Sequence, residues 1–159
     1  MSEPETINIR PMIEPDLDAV LAIEQASFPL PWKRDHILHE IAAPHSYPFV
    51  AECNGILAGY VCVTSLFEEA QILDVAVDPA KRGRGIALLL MKHAFALARE
   101  KGAEVMSLEV RSTNAAAIAL YENLGFVRTG CRSKYYEGKD DAVLMDKYLQ
   151  GETSCSSHP

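Results

Sequence analysis

Residues Gln71-Ile72-Leu73-Asp74-Val75-Ala76-Val77-Asp78-Pro79 run directly into Arg82-Gly83-Arg84-Gly85-Ile86-Ala87 and then into a long apolar stripe. No other stretch constrains the fold as much. Residues 72–77 are short, apolar and partly β-branched, the pattern of a buried strand, and Asp-Pro ends it. From Ile86 the apolar residues recur at Leu89, Leu90, Ala94 and Leu97, the period of one helix face. Two glycines therefore stand where a helix begins. Gly83 and Gly85 allow a tight turn and a close backbone approach. The first amides of the helix have no intrahelical acceptor, and with the helix dipole they favour anionic oxygens. Arg82 and Arg84 add positive charge. The stretch predicts a strand, a turn, an anion cradle and a helix.

Around it the elements alternate. Residues 6–10 read as a short strand stopped by Pro11, and Pro15-Asp16 opens a helix carrying Leu17, Val20, Leu21 and Phe28. The corner Phe28-Pro29-Leu30-Pro31-Trp32 leads to a second helix with Ile37, Leu38 and Ile41, ended by Pro44. Strands at 47–53 and 56–66 flank Asn54-Gly55, the dipeptide that suits a type I′ hairpin turn. Gly102 marks the end of the long helix. A strand at 105–110, a helix from the N-cap candidate Asn114 to Gly125, and strands at 126–134 and 143–148 joined by a Gly138-Lys139-Asp140-Asp141 turn complete the order. This is an α/β chain with a mixed sheet. No repeat or linker divides it, so residues 1–150 read as one domain and residues 151–159 as a disordered polar tail.

At 159 residues, 48% hydrophobic and 23% charged, the chain can bury a full core. No apolar run has the length of a membrane span, and the polar opening with Glu3 and Glu5 does not resemble a leader, so a cytoplasmic location without membrane association is expected. The net charge of -7 argues against direct nucleic-acid binding and suits a basic peptide or polyamine. Cys53, Cys62, Cys131 and Cys155 lack metal-ligand spacing and read as reduced, mostly buried thiols. His36, His39 and Glu40 form H-x-x-H-E, not the zinc-protease H-E-x-x-H, and no metal is expected. His93 falls on the stripe of the long helix and reads as a core-edge histidine.

The glycine loop is neither a Walker loop nor a dinucleotide fingerprint, because no Gly-Lys-Ser/Thr follows and the spacing is not G-x-G-x-x-G. A second cluster is Leu108-Glu109-Val110-Arg111, followed by Asn114 to Tyr121, Glu122 and Gly125-Phe126. Taken alone, Glu109 fits an ordinary alternate residue of a strand and Tyr121 an ordinary packed aromatic. Taken together they suit acyl transfer to an amine. An α-amine with a pKa near ~8 is largely protonated at neutral pH, so a base is required. Glu109 is the candidate general base, Tyr121 the candidate general acid for the leaving group, and the Val77 amide a candidate oxyanion donor.

The motif R-x-x-G-x-A at Arg82 to Ala87 resembles the pyrophosphate-binding loop of the Gcn5-related N-acetyltransferase (GNAT) family. Residues 108–126, Ile23-Glu24-Gln25, Phe28-Pro29, Pro31-Trp32, residues 74–79 and Tyr135-Tyr136 are similar to its RimI branch, bacterial enzymes acting on the N-terminal alanine of small-subunit ribosomal protein eighteen. The resemblance covers about residues 7 to 149. It implies a central mixed sheet of about seven strands with about four helices and splayed fourth and fifth strands. It also implies acetyl-coenzyme A as co-substrate, held by Val75, Ala76, Val77, Arg82, Gly83, Arg84, Gly85, Ile86, Ala87, Leu88 and Asn114. Glu109 and Tyr121 match the family's proton acceptor and donor. Phe28, Trp32, Glu69 and Tyr136 are candidates to line the acceptor site for the N-terminus of a basic ribosomal protein. A monomer is expected. A small-amine or lysine acetyltransferase and a non-catalytic acetyl-coenzyme A sensor are the other readings.

Overall fold

The computed structural model describes residues 6–136 and 140–149. In chain order the elements are β1 (Ile7–Pro11), α1 (Leu17–Ser27), α2 (Arg34–Ala42), β2 (Ser46–Cys53), β3 (Ile56–Leu66), β4 (Glu69–Val77), α3 (Ile86–Glu100), β5 (Val105–Arg111), α4 (Ala115–Asn123), β6 (Val127–Tyr136) and β7 (Asp140–Tyr148). Single 3-10 turns lie at Glu14–Asp16 and Pro79–Lys81. The strand order is β1-β2-β3-β4-β5-β7-β6. β4 and β5 run parallel, whereas β1–β2, β2–β3, β5–β7 and β6–β7 are antiparallel, so the sheet is mixed as expected.

The chain divides into two compact units, Met1–Thr64 with Asp74–Ala96, and Ser65–Leu73 with Leu97–Pro159. The first buries Leu17, Val20, Ile37, Val61, Leu90 and Met91; the second buries Met106, Leu108, Ile118, Phe126, Met145 and Leu149.

In the first unit the β2–β3 hairpin turns on Asn54 and Gly55, both at positive φ (53° and 83°), as a type I′ turn demands. β1 extends through Pro11, one residue past the expected stop, and Pro11 pairs with Phe49. Proline is tolerated there because β1 has β2 as its single neighbour, so a missing amide costs no ladder bond. The first helix begins as a 3-10 turn before α1, with Asp16 Oδ2 accepting the Ile13 amide at 2.9 Å.

In the second unit β4 starts at Glu69, earlier than its apolar run suggests, because Glu69, Ala70 and Gln71 pair with Val105, Met106 and Ser107. The β4–β5 ladder ends at that third pair, the pattern expected of strands that part. The Ala103 amide donates to Ala98 O across Gly102 (φ 92°), a glycine-capped end to α3. Asp140 and Asp141 belong to β7 and not to a turn: Asp140 pairs with Tyr136 and accepts from Arg111 Nη1 at 3.1 Å. Gly138, Lys139, Cys155 and the tail 151–159 lie outside the described residues.

Candidate acyl-transfer site

The loop ahead of α3 is shaped by its glycines. Gly83 and Gly85 adopt φ of 81° and 79°, and an added Cβ at either would meet nothing within 4 Å. Leu89 N donates to Gly85 O at 3.1 Å, so the amides of Ile86, Ala87 and Leu88 precede that helical bond. Exposed left-handed glycines before the free amides of a 15-residue helix fit an anionic pyrophosphate. Ile86 is buried, and Ala87 and Leu88 are half-buried. Arg84 is exposed. Arg82 turns back onto the protein, its Nε donating to Val77 O at 3.2 Å and its Nη2 to Ser27 Oγ at 3.3 Å. That side chain braces the loop against the end of β4.

Val75 is half-buried, and Ala76 and Val77 are each 8% exposed. Gly59 on β3 allows this segment to come close: an added Cβ there would stand 2.9 Å from Ala76 O. Asp78 N donates to Ala58 O at 2.7 Å.

In the same unit Phe28 closes α1, its amide donating to Glu24 O at 3.0 Å. The Trp32 ring stacks on His36 at 3.8 Å, and the Trp32 amide donates to Glu24 Oε2 at 2.7 Å. Glu24 Oε1 accepts a very short hydrogen bond from Tyr60 Oη, which also lies 3.4 Å from Asp74 Oδ2. Glu24 is 1% exposed and Tyr60 is buried with it. Burial, and next the hydrogen bond and charge of Glu24, push the Asp74 carboxyl up to about 9. The sequence reading missed this cluster. Its signal was Glu24 itself, placed one helical turn after Val20 and two after Leu17, on the stripe that faces the core. His93 is half-buried and meets the Phe49 ring edge-on at 4.4 Å, as a core-edge histidine should.

The second unit carries the candidate acid and base. β5 alternates, with Met106, Leu108 and Val110 buried and Ser107, Glu109 and Arg111 half-buried on the other face. Glu109 Oε1 lies 3.4 Å from Arg132 Nη2, and the Glu109 side chain is 21% exposed. Arg132 also lies over the Tyr135 ring at 5.1 Å. Tyr121, on α4, is 7% exposed and meets Phe126 edge-on at 5.8 Å. Asn114 caps α4, its Oδ1 accepting the Ala117 amide at 3.2 Å. Glu69 is exposed at the start of β4. Tyr136 pairs with Asp140 through β6, and its side chain lies outside the described residues.

Cys53 and Cys62 are buried, whereas Cys131 is exposed, against the expectation of mostly buried thiols for that one position. Among the described residues no group of three or more His, Cys, Asp or Glu is placed to hold a metal ion, and no helix is long and apolar enough to cross a membrane.

The model of the acetyltransferase (GNAT) family matches residues 17–126. The chain is 34% identical over 133 residues to the ribosomal protein bS18-alanine N-acetyltransferase of Escherichia coli (strain K12), covering 82% of this chain and 89% of that protein. It is 37% identical over 139 residues to a Bacillus subtilis (strain 168) protein that bears the same name provisionally, covering 86% of this chain and 92% of that protein. The crystal structure of an Escherichia coli ribosomal-protein alanine N-acetyltransferase superposes with a TM-score of 0.84 at 31% identity, covering 91% of this chain and 94% of that one. On the family match and these identities, the chain belongs to the GNAT acetyltransferase family and is an acyltransferase whose donor is acetyl-coenzyme A.

Proposed function

We propose that this protein is an N-terminal acetyltransferase that transfers acetyl from acetyl-coenzyme A to the α-amine of an N-terminal alanine, with a ribosomal protein of the bS18 type as acceptor. The observation that carries this reading is likeness along most of the chain to relatives named for that activity, at 34% and 37% identity. The family match crosses both compact units, which supports reading residues 1–150 as one catalytic domain.

Acetyl-coenzyme A supplies an acyl group activated as a thioester. The amides of Gly83, Gly85, Ile86, Ala87 and Leu88 would hold its pyrophosphate, with Arg84 adding charge. Val75, Ala76, Val77 and Asn114 are the further contacts, and the Val77 amide is the candidate oxyanion donor. Glu109 takes a proton from the acceptor amine at its carboxylate, so that nitrogen presents a lone pair. Tyr121 Oη gives a proton to the departing sulfur. Phe28, Trp32, Glu69 and Tyr136 are the candidate acceptor contacts, and the acidic chain suits a positively charged peptide. A soluble protein of the cytoplasm acting as a monomer completes the proposal.

The test is mass spectrometry of an alanine-initiated basic peptide incubated with the protein and acetyl-coenzyme A, with fragmentation to place the added group. Acetyl on the α-amine is expected. Acetyl on a lysine side chain alone, or no acetylation with acetyl-coenzyme A bound in the same sample, overturns the α-amine assignment.

A further inference from the structure

Glu24 links two segments that the proposed reaction uses. Its Oε2 accepts the Trp32 amide at 2.7 Å, fixing the 28–32 corner, and its Oε1 accepts from Tyr60 Oη. Tyr60 lies beside Gly59, whose missing side chain admits the Ala76 carbonyl of β4, and its hydroxyl also reaches Asp74 Oδ2 at 3.4 Å. Asp74 immediately precedes residues 75–77. A buried carboxylate, a phenol and a second carboxyl thus span α1, β3 and β4 within one compact unit.

We propose that Glu24 and Asp74, joined through Tyr60, are a positioning pair that holds one shared proton, and that this proton fixes the 28–32 corner relative to the 75–77 segment. The chemistry requires a proton between them. Two carboxylates that share one phenol hydroxyl in a buried site cannot both be ionised without strong repulsion. Asp74 is the one that keeps it: burial and Glu24 lift its carboxyl to about 9, so at neutral pH it is a neutral carboxyl beside the Tyr60 hydroxyl. Glu24 then accepts from the Trp32 amide and the Tyr60 hydroxyl, and Tyr60 Oη in turn reaches Asp74 Oδ2. Tyr60 and Cys62 do not compete for that proton near neutral pH. Burial, followed by Asp74 and Glu24, pushes the Tyr60 hydroxyl far above its ordinary range, so it remains a donor. Cys62, facing Asp74, Glu40 from α2 and Glu24, is pushed well up by burial first and stays a thiol. When pH rises through about 9, Asp74 ionises and a second negative charge appears beside Glu24. The corner is then released from its fixed position.

That the corner meets the acceptor peptide rests on the function proposed above; the latch itself does not, and its primary test uses no substrate. Trp32 is the one tryptophan of the chain, so fluorescence of the full-length protein reports on the corner directly. The wild-type emission is expected to shift with a midpoint near pH 9, with far-UV dichroism unchanged. Asp74→Asn, whose amide N–H replaces the carboxyl O–H without a titrating proton, is expected to keep the neutral-pH spectrum and show no such transition. A flat wild-type titration, or an equal transition in Asp74→Asn, overturns the proposal. In steady-state assays the acceptor KM of the wild type is expected to rise about tenfold above that midpoint with a smaller change in kcat, and Asp74→Asn to hold KM constant. The same KM rise in both proteins overturns the positioning role. Failure of acetylation at every pH would count against the proposed function and leave the fluorescence result to decide the latch.

Discussion

Arg132 Nη2 stands 3.4 Å from Glu109 Oε1, and the register explains why they meet: Glu109 and Gly130 both pair with Leu144 of β7, while Arg111 and Arg132 both pair with Ala142. All six positions share one face of three adjacent strands. Glycine at 130 keeps the row between them low, since a Cβ there would come 3.1 Å from Leu144 Cδ1. On the base role proposed for Glu109, Glu109→Gln, which keeps the shape but not the carboxylate, is expected to lower kcat by about 10²- to 10⁴-fold while acetyl-coenzyme A affinity is unchanged, as measured by steady-state kinetics and calorimetry. Tyr121→Phe is expected to act in the same direction. Arg132 is half-exposed, so Arg132→Gln should cost under about 1 kcal/mol in stability.

Arg10 and Asp16 form a two-pronged pair, with both contacts at 2.8 Å, and Arg10 Nη2 also reaches Glu52 Oε2 at 3.0 Å. The Arg10 hydrogen bond, the largest favourable cause, holds the Asp16 carboxyl below its ordinary range despite burial, with the Ile13 amide helping. A carboxyl depressed in the folded state contributes stability above its unfolded pKa and loses it as pH falls through the lower folded value. Asp16→Asn is therefore expected to be less stable than wild type at neutral pH by about 1–3 kcal/mol. The gap should close as pH falls below about 4. Urea denaturation at several pH values measures it, and a gap that persists unchanged in acid would refute the assignment to this ion pair.

Local signals in the sequence marked what local geometry decides. Asn54-Gly55 specified its turn because both positions need positive φ, and Gly83 and Gly85 marked the α3 entrance for the same reason. The face of Glu109 followed from strand alternation. What the sequence hid were choices made across the fold. The motif makes Arg82 a candidate ligand contact, and no local pattern announces that its guanidinium also donates to Val77 O and to Ser27 Oγ, the latter 55 residues away in sequence. Asp140 and Asp141 have turn propensity, but pairing with β6 and the Arg111 ion pair draws Asp140 into a strand. Glu24 and Asp74 sit on different elements, and neither residue alone announces that Tyr60 will join them.

Gly59 is a packing requirement and not a turn residue. Its missing side chain admits Ala76 O, with Leu90 Cδ1 and Val77 Cγ2 each 3.3 Å from where a Cβ would stand. A backbone carbonyl cannot rotate away as a side chain can, so Gly59→Ala should push β4 from β3. The expected loss is about 1–3 kcal/mol in stability. Thermal unfolding would show it, and weaker acetyl-coenzyme A binding should accompany it through displaced residues 75–77.

Gly85→Ala separates conformation from crowding. At φ of 79° with nothing within 4 Å of the added Cβ, the substitution meets no neighbour, and its cost is backbone strain alone. An L-residue in the left-handed region costs about 1–2 kcal/mol, which the loop can meet by lowered stability or by leaving the conformation. The second route penalises the ligand, because the amides ahead of α3 no longer converge when Gly85 changes φ. Calorimetry with coenzyme A and with dephosphorylated pantetheine distinguishes the two. If the loop binds the pyrophosphate, Gly85→Ala weakens coenzyme A by about tenfold and leaves pantetheine unchanged. Equal weakening of both would place the defect outside the cradle, and a changed loop conformation with no weakening of coenzyme A would remove the loop from its proposed role.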